Sequence, residues 1–314
     1  WSSDVCSSDL QNVTYSTTEA LTVNGGTIKT STGTSAVAGA ITLGANSTFD
    51  VGGTQLTASG NITDGANTFG ITKTSSGKLI LSNSTNSYDG ATTISAGTLE
   101  VSGQLNSGSY ASNISNAGSL TYSSSSDQTL SGIISGVGTV TKSGSSTLTL
   151  SGTNTYTGGT TISVGTLKIG NATALGGNSG AASITSGAVL DLNGTTMTNT
   201  NALTVNGTGI SSGGAIINSS STGATYAGLL TLGSASSIIG GTGTITLSNT
   251  GTINGGYGLT LGGAQGGTVT SIIGTGANAL TKQDNGTWTL SGTNTYTGAT
   301  TVSDRKSTRL NSSH

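Results

Sequence analysis

The sequence predicts an all-β chain wound as a parallel β-helix, a β-solenoid, on three observations. Short segments alternate apolar and polar residues almost everywhere, one sequence unit returns three times, and proline is absent from all 314 residues. Alternation of this kind lets a strand bury one face, since successive side chains point to opposite sides of a sheet. It runs from Leu21 and Val23 through Ile41 and Leu43, Leu79 and Leu81, Leu148 and Leu150, Val189 to Leu192, Ile245 and Leu247, Leu259 and Leu261, to Trp288 and Leu290. The runs are short and end at Gly, Asn or Ser, residues that tolerate positive φ or satisfy turn backbone. No segment carries a helical period, and no apolar run approaches the roughly 20 residues of a membrane-crossing helix.

Composition allows two classes, and the pattern decides between them. Leu, Ile, Val and Phe make up roughly a fifth of the chain, near the level of disordered proteins, but disorder also expects a high net charge. Here the formal net charge is -2. A stack of coils resolves the conflict, because a narrow interior is filled by one or two aliphatic side chains per strand and is shared between neighbours. Absence of proline fits, since each interior coil must donate N–H groups to the next. With about 20 to 24 residues per coil, the chain is expected to hold roughly 12 to 14 coils over about 60 to 70 Å.

Both ends read as adapter-derived. Back-translated with permitted codons, WSSDVCSSDL (1–10) gives one oligonucleotide whose reverse complement encodes DRKSTRLNS, residues 304–312. The two termini thus resemble a sequencing adapter read on opposite strands, and 1–10 and 304–314 are set apart from fold reasoning. Cys6, His314, Arg305 and Arg309 all fall in these ends, so 11–303 contains no Cys, His or Arg. The remaining solenoid is expected to be a single fragment spanning 11–303.

Internal repetition is the strongest signal. ITKTSSGKLILSNSTNSYDGATTISAGTLEV (71–101), VTKSGSSTLTLSGTNTYTGGTTISVGTLKI (140–169) and LTKQDNGTWTLSGTNTYTGATTVS (280–303) are three copies of one unit. Lys73, Lys142 and Lys282 open them; Leu79, Leu148 and Trp288 follow six residues later, then Leu81, Leu150 and Leu290. Tyr88, Tyr156 and Tyr296 precede Gly90, Gly158 and Gly298 and a Thr-Thr pair, with one extra residue in the first copy. The third copy stops where the second continues into VGTLKI, which points to a longer reading frame.

These strings, with the preceding QTLSGIISGVG and the following ALGGNSGAASITSGAVLDLNG, resemble the autotransporter-associated β-strand repeat of type V secreted passenger domains. The resemblance implies a right-handed β-helix, export through the outer membrane of a Gram-negative bacterium by a C-terminal β-barrel, and a role as surface stalk or adhesin. It also implies a host surface protein or glycan as partner.

Catalytic readings find little material. Without imidazole, a Ser-His-Asp or Cys-His nucleophile has no proton acceptor, and transition metals lose their usual ligands. Asp64 with Asp89 is the one carboxylate pair conceivable across neighbouring coils, yet charges are solitary where sugar-cleaving sites cluster acids with bases. Ser75 and Lys78 satisfy S-x-x-K, but in a turn before a strand rather than on a helix. Glycine pairs at Gly136, Gly207, Gly241, Gly256 and Gly274 read as turns. No basic patch meets a phosphate backbone, which argues against nucleic acid. Calcium nonapeptides are absent, so no cofactor or metal is expected. Asn86, Asn154 and Asn294, each two residues before the repeat tyrosine, could present Tyr to a sugar, but are expected to satisfy turn backbone while Tyr covers a core edge. Thr147 with Thr149 and Thr244 with Thr246 raise an ice-binding alternative, against which uneven coil lengths argue.

Overall fold

A computed structural model describes residues 7–16 and 19–303. The chain divides into two compact units, residues 1–160 and 161–314. Each is a stack of short parallel strands, with two three-residue 3-10 turns among the described residues.

In the first unit the chain turns a corner every few residues and returns above itself. One sheet contains Thr27–Thr30, Ser47–Val51, Ile71–Thr74, Thr92–Ile94, Ile114–Asn116 and Ile134–Ser135, each parallel to the next. A second contains Thr34–Val37, Gln55–Ala58, Lys78–Leu81, Thr98–Val101, Ser119–Tyr122 and Thr139–Lys142. The third side is less regular, with Leu21–Asn24, Ile41–Ala45 and Ile62–Thr63 low in the unit and Ser109–Tyr110, Gln128–Leu130 and Thr147–Leu150 higher up. Ile114 pairs with Ile134 and Ser47 with Ile71, steps of 20 and 24 residues that agree with the coil length expected from sequence.

Strand burial alternates as the pleat requires. In Lys78–Leu81 and Thr98–Val101 the second and fourth residues are buried and the others face outward. The clearest case lies within the second repeat, where even-numbered residues from 140 to 156 are buried and odd-numbered ones from 139 to 157, all Ser or Thr, face out. Ile28, Phe49, Ile71, Leu79, Leu99, Ile114 and Leu148 are among the side chains closing the interior. A buried aliphatic side chain contributes about 1.5 to 3 kcal/mol, and sharing each one between the coils above and below lets so polar a sequence collapse.

The second unit has the same plan with longer coils. Thr166–Ile169, Val189–Asp191 and Ile216–Asn218 lie side by side, as do Ala182–Ile184 and Leu203–Gly207. Leu230–Gly240 is an 11-residue strand that pairs first with Leu203–Gly207 and then, past a bulge, with Ile216–Asn218. Ala224–Tyr226, Ile245–Leu247, Gly266–Val269 and Thr287–Leu290 form another side. Steps here reach 27 residues between Leu203 and Leu230, beyond the expected 24. The reason is a loop closed by the Gly214 N–H on the Thr208 carbonyl around the turn Ile210–Ser212, whose extra length the bulge absorbs.

The adapter-like ends lie mostly outside the described residues. Ser7–Asp9, however, pairs in parallel with Thr27–Lys29, and Asp9 accepts hydrogen bonds from the Ser31 backbone and hydroxyl. A solenoid end offers unpaired N–H and C=O groups to any strand-competent segment joined to it, whatever its origin.

Candidate functional site

The three repeats are the chain's one recurring constellation. Each begins with a strand whose lysine points inward. Lys73 is fully buried, and its Nζ donates to the carbonyls of Thr74 (2.6 Å), Ser75 (2.7 Å) and Ala96 (3.3 Å). Lys142 is equally buried; its Nζ donates to the Gly144 carbonyl and lies 5.9 Å from the centre of the Tyr122 ring. Lys282 donates to the Asp284 carbonyl in the same way. All three therefore cap the carbonyl two residues on, at the corner ending their own strand. Burial pulls the Lys73 and Lys142 ammonium groups down to about 8, against the opposing pull of Asp50 and Asp127 respectively. An acylation footprint at pH 7.5 should therefore label Lys29 and Lys168 at least ten times faster than Lys73 and Lys142; equal labelling by mass spectrometry would place the latter two outside.

Beyond the corner, the apolar pair closes the interior. Leu79 stacks between Leu56 and Leu99, and Leu148 over Gln128. Trp288 takes the same position in the third copy opposite Gly267, whose missing side chain leaves room for the indole, and its Nε1 donates to the Gly262 carbonyl at 3.0 Å.

The Asn-x-Tyr segment then grips one isoleucine of the preceding coil from both sides. Asn86 Oδ1 accepts the Ile62 N–H at 3.0 Å, Asn154 Oδ1 the Ile134 N–H at 2.8 Å, and Asn294 Oδ1 the Ile273 N–H at 2.8 Å. In return, the N–H groups of Ser87 and Tyr88 reach the Ile62 carbonyl, those of Thr155 and Tyr156 the Ile134 carbonyl, and those of Thr295 and Tyr296 the Ile273 carbonyl. The tyrosine hydroxyl bonds the threonine four residues on: Tyr88 to Thr92 at 3.0 Å, Tyr156 to Thr160 at 2.6 Å, Tyr296 to Thr300 at 2.9 Å. Burial raises the Tyr88 and Tyr156 hydroxyls well above the ordinary tyrosine value, so both stay neutral. These two rings lie in the interior, where a sugar has no access to them.

The repeat glycine follows from close coil contact. A Cβ on Gly158 would lie 2.2 Å from the Gly138 carbonyl oxygen, and Gly90 and Gly298 face preceding-coil backbone equally closely. Only a residue without a side chain lets the coils meet there.

Copies one and two start on different sides of the first unit. Ile71–Thr74 lies in the sheet with Ser47–Val51 and Thr92–Ile94, whereas Thr139–Lys142 lies in the sheet that holds Lys78–Leu81 of the first copy. The motif is tied to its place along the chain and not to a face.

Other candidates separate. Buried Asp64 spends its carboxylate on the Phe69 N–H (2.9 Å) and the Asp89 backbone N–H (3.4 Å), while Asp89 itself is exposed. Ser75 hydrogen-bonds Asp50, and Lys78 pairs instead with Glu100 at 2.8 Å, so no Ser-Lys dyad forms. Burial raises the Glu100 carboxyl, but hydrogen bonds from Lys78 and Ser123 outweigh it and hold the group below the usual carboxylate range. Among the described residues no group of three His, Cys, Asp or Glu side chains could hold a metal ion. Thr149 adjoins Thr129, and Thr246 stands in a column with Thr225, Thr268 and Thr289. Gln128 escaped sequence reasoning: its amide accepts the Leu105 N–H at 2.8 Å and donates to the Leu105 carbonyl at 3.1 Å, imitating a strand with one side chain.

The family described as passenger-associated-transport-repeat matches residues 71–101, 140–169 and 280–304. The adhesin BmaC autotransporter of Brucella suis biovar 1 (strain 1330) is 36% identical over 167 residues, covering 49% of this chain and 5% of that relative. This chain thus spans a small part of the length of the relative it matches. No solved structure matches it.

Proposed function

We propose that this chain, which carries three passenger-associated-transport repeats, is a stretch of an autotransporter passenger displayed on a bacterial surface as a stalk or adhesin. The observation that carries the reading is the coincidence of the matched repeats with the coil-gripping motif: every functional-looking residue of the repeat binds its own chain. A segment whose distinctive side chains all face inward performs its work by being rigid and long, which suits a mechanical or adhesive role better than a catalytic one. Outward, the second repeat offers an uncharged girdle of Ser and Thr hydroxyls, a surface matched to a hydrated exterior. The full-length protein then carries a C-terminal outer-membrane β-barrel for export, and a host surface protein or glycan is the partner class.

An antibody raised against residues 71–169 tests this in cells expressing the full reading frame. Intact cells should bind it, and protease added outside should remove the epitope; deletion of the passenger should lower adhesion to host cells. Binding only after permeabilisation would end the surface assignment. Surface binding with unchanged adhesion would leave a stalk and remove the adhesin.

A further inference from the structure

We infer that Lys73 and Lys142 act as tethered cations, each ammonium filling a cage of backbone carbonyls that would take a free alkylammonium ion if the side chain were cut away. Three features of Lys73 carry this. First, its partners are carbonyl oxygens from two successive coils, Thr74 and Ser75 at one corner and Ala96 at the corner above. The ammonium has three protons for three acceptors. Second, the corner turns through Ser75 at φ 62°, which directs carbonyls toward an interior where a buried acceptor needs a donor. Third, no carboxylate forms an ion pair with it: the nearby Asp50 is taken by the hydroxyls of Thr74 and Ser75. Carbonyl rings replacing a hydration shell are a general way to hold a monovalent cation. The contact to the carbonyl two residues on recurs at Lys142 and Lys282.

This assigns the repeat lysine a task separate from display at the surface: it fastens one coil corner to the next. The amides of Gly77 and Thr98, which bond to Val51 and Gly77 across these corners, report on it. In Lys73→Ala they should exchange with deuterium at least tenfold faster than in the unchanged chain. Added n-propylammonium chloride should restore protection and melting temperature, whereas 1-propanol and sodium chloride at equal concentration should not. Equal rescue by the alcohol would reduce the lysine to an apolar filler and overturn the inference, as would failure of the amine to rescue a folded Lys73→Ala. Should that variant not fold, Lys73→Met keeps the volume and removes the charge. Tenfold faster exchange at Gly77 and Thr98 supports the cage, and unchanged exchange refutes it.

Discussion

Replacing Asn86 with alanine is expected to destabilise the first unit by about 3 kcal/mol, because three buried backbone groups lose their partner at once. Its Oδ1 holds the Ile62 N–H, and its Nδ2 donates to the carbonyls of Asn83 (2.7 Å) and Gln104 (3.0 Å). The residue is fully buried, so water does not replace those bonds without opening the coil. One orphaned buried group costs about 1 to 3 kcal/mol, and the two carbonyls retain a second lone pair each, which keeps the total near the lower end of a threefold sum. Denaturant midpoints and exchange at the Ile62 amide measure the effect. Ser145→Ala, an outward substitution in the same unit, should stay within about 0.5 kcal/mol. A loss for Asn86→Ala no larger than that of Ser145→Ala would show that the grip on Ile62 contributes nothing.

Truncating Tyr156 to alanine should cost about 4 kcal/mol, the range for removing a buried aromatic ring. Tyr156→Phe should cost only about 1 kcal/mol, the worth of its hydroxyl bond to Thr160. The informative comparison is Tyr296, which holds the same place in the third copy but is only partly buried. There the alanine substitution should cost less than half as much. Equal losses at the two positions would mean that burial between coils is not what the repeat tyrosine supplies.

Much of this was legible from alternation and repetition. Leu79 with Leu81 and Leu148 with Leu150 announce inward faces, and the structure places all four in the interior. Asn86 and Tyr88 read as turn satisfier and core cover; the structure agrees and adds that the satisfied backbone belongs to the previous coil. The lysines were read only as the start of each copy, although a signal existed: Val140, Lys142, Leu148, Leu150, Asn154 and Tyr156 share one parity, which puts Lys142 on the buried face. Charge misleads there, since a buried lysine contradicts the usual preference until its carbonyl partners are seen. Gln128 was missed for the same reason, its parity matching that of Leu130. Asp64 and Asp89 failed as a pair because a carboxylate beside a turn is drawn to backbone N–H groups, and sequence alone does not rank that attraction against a neighbour. The 27-residue step was equally hidden, since loop length and bulge offset one another without disturbing alternation.

Lys73 and Lys142 are 69 residues apart, and the intervening chain makes three turns plus one side of the first unit. A shaft growing or shrinking by such periods behaves as a screw thread and not as a ladder. Every gain of one period would advance the azimuth of the next copy by about a third of a revolution, in the way small rotations per unit shape other solenoids. Anything borne on the outer hydroxyls would then wind around the axis, and a passing partner would meet an equivalent flank from any direction.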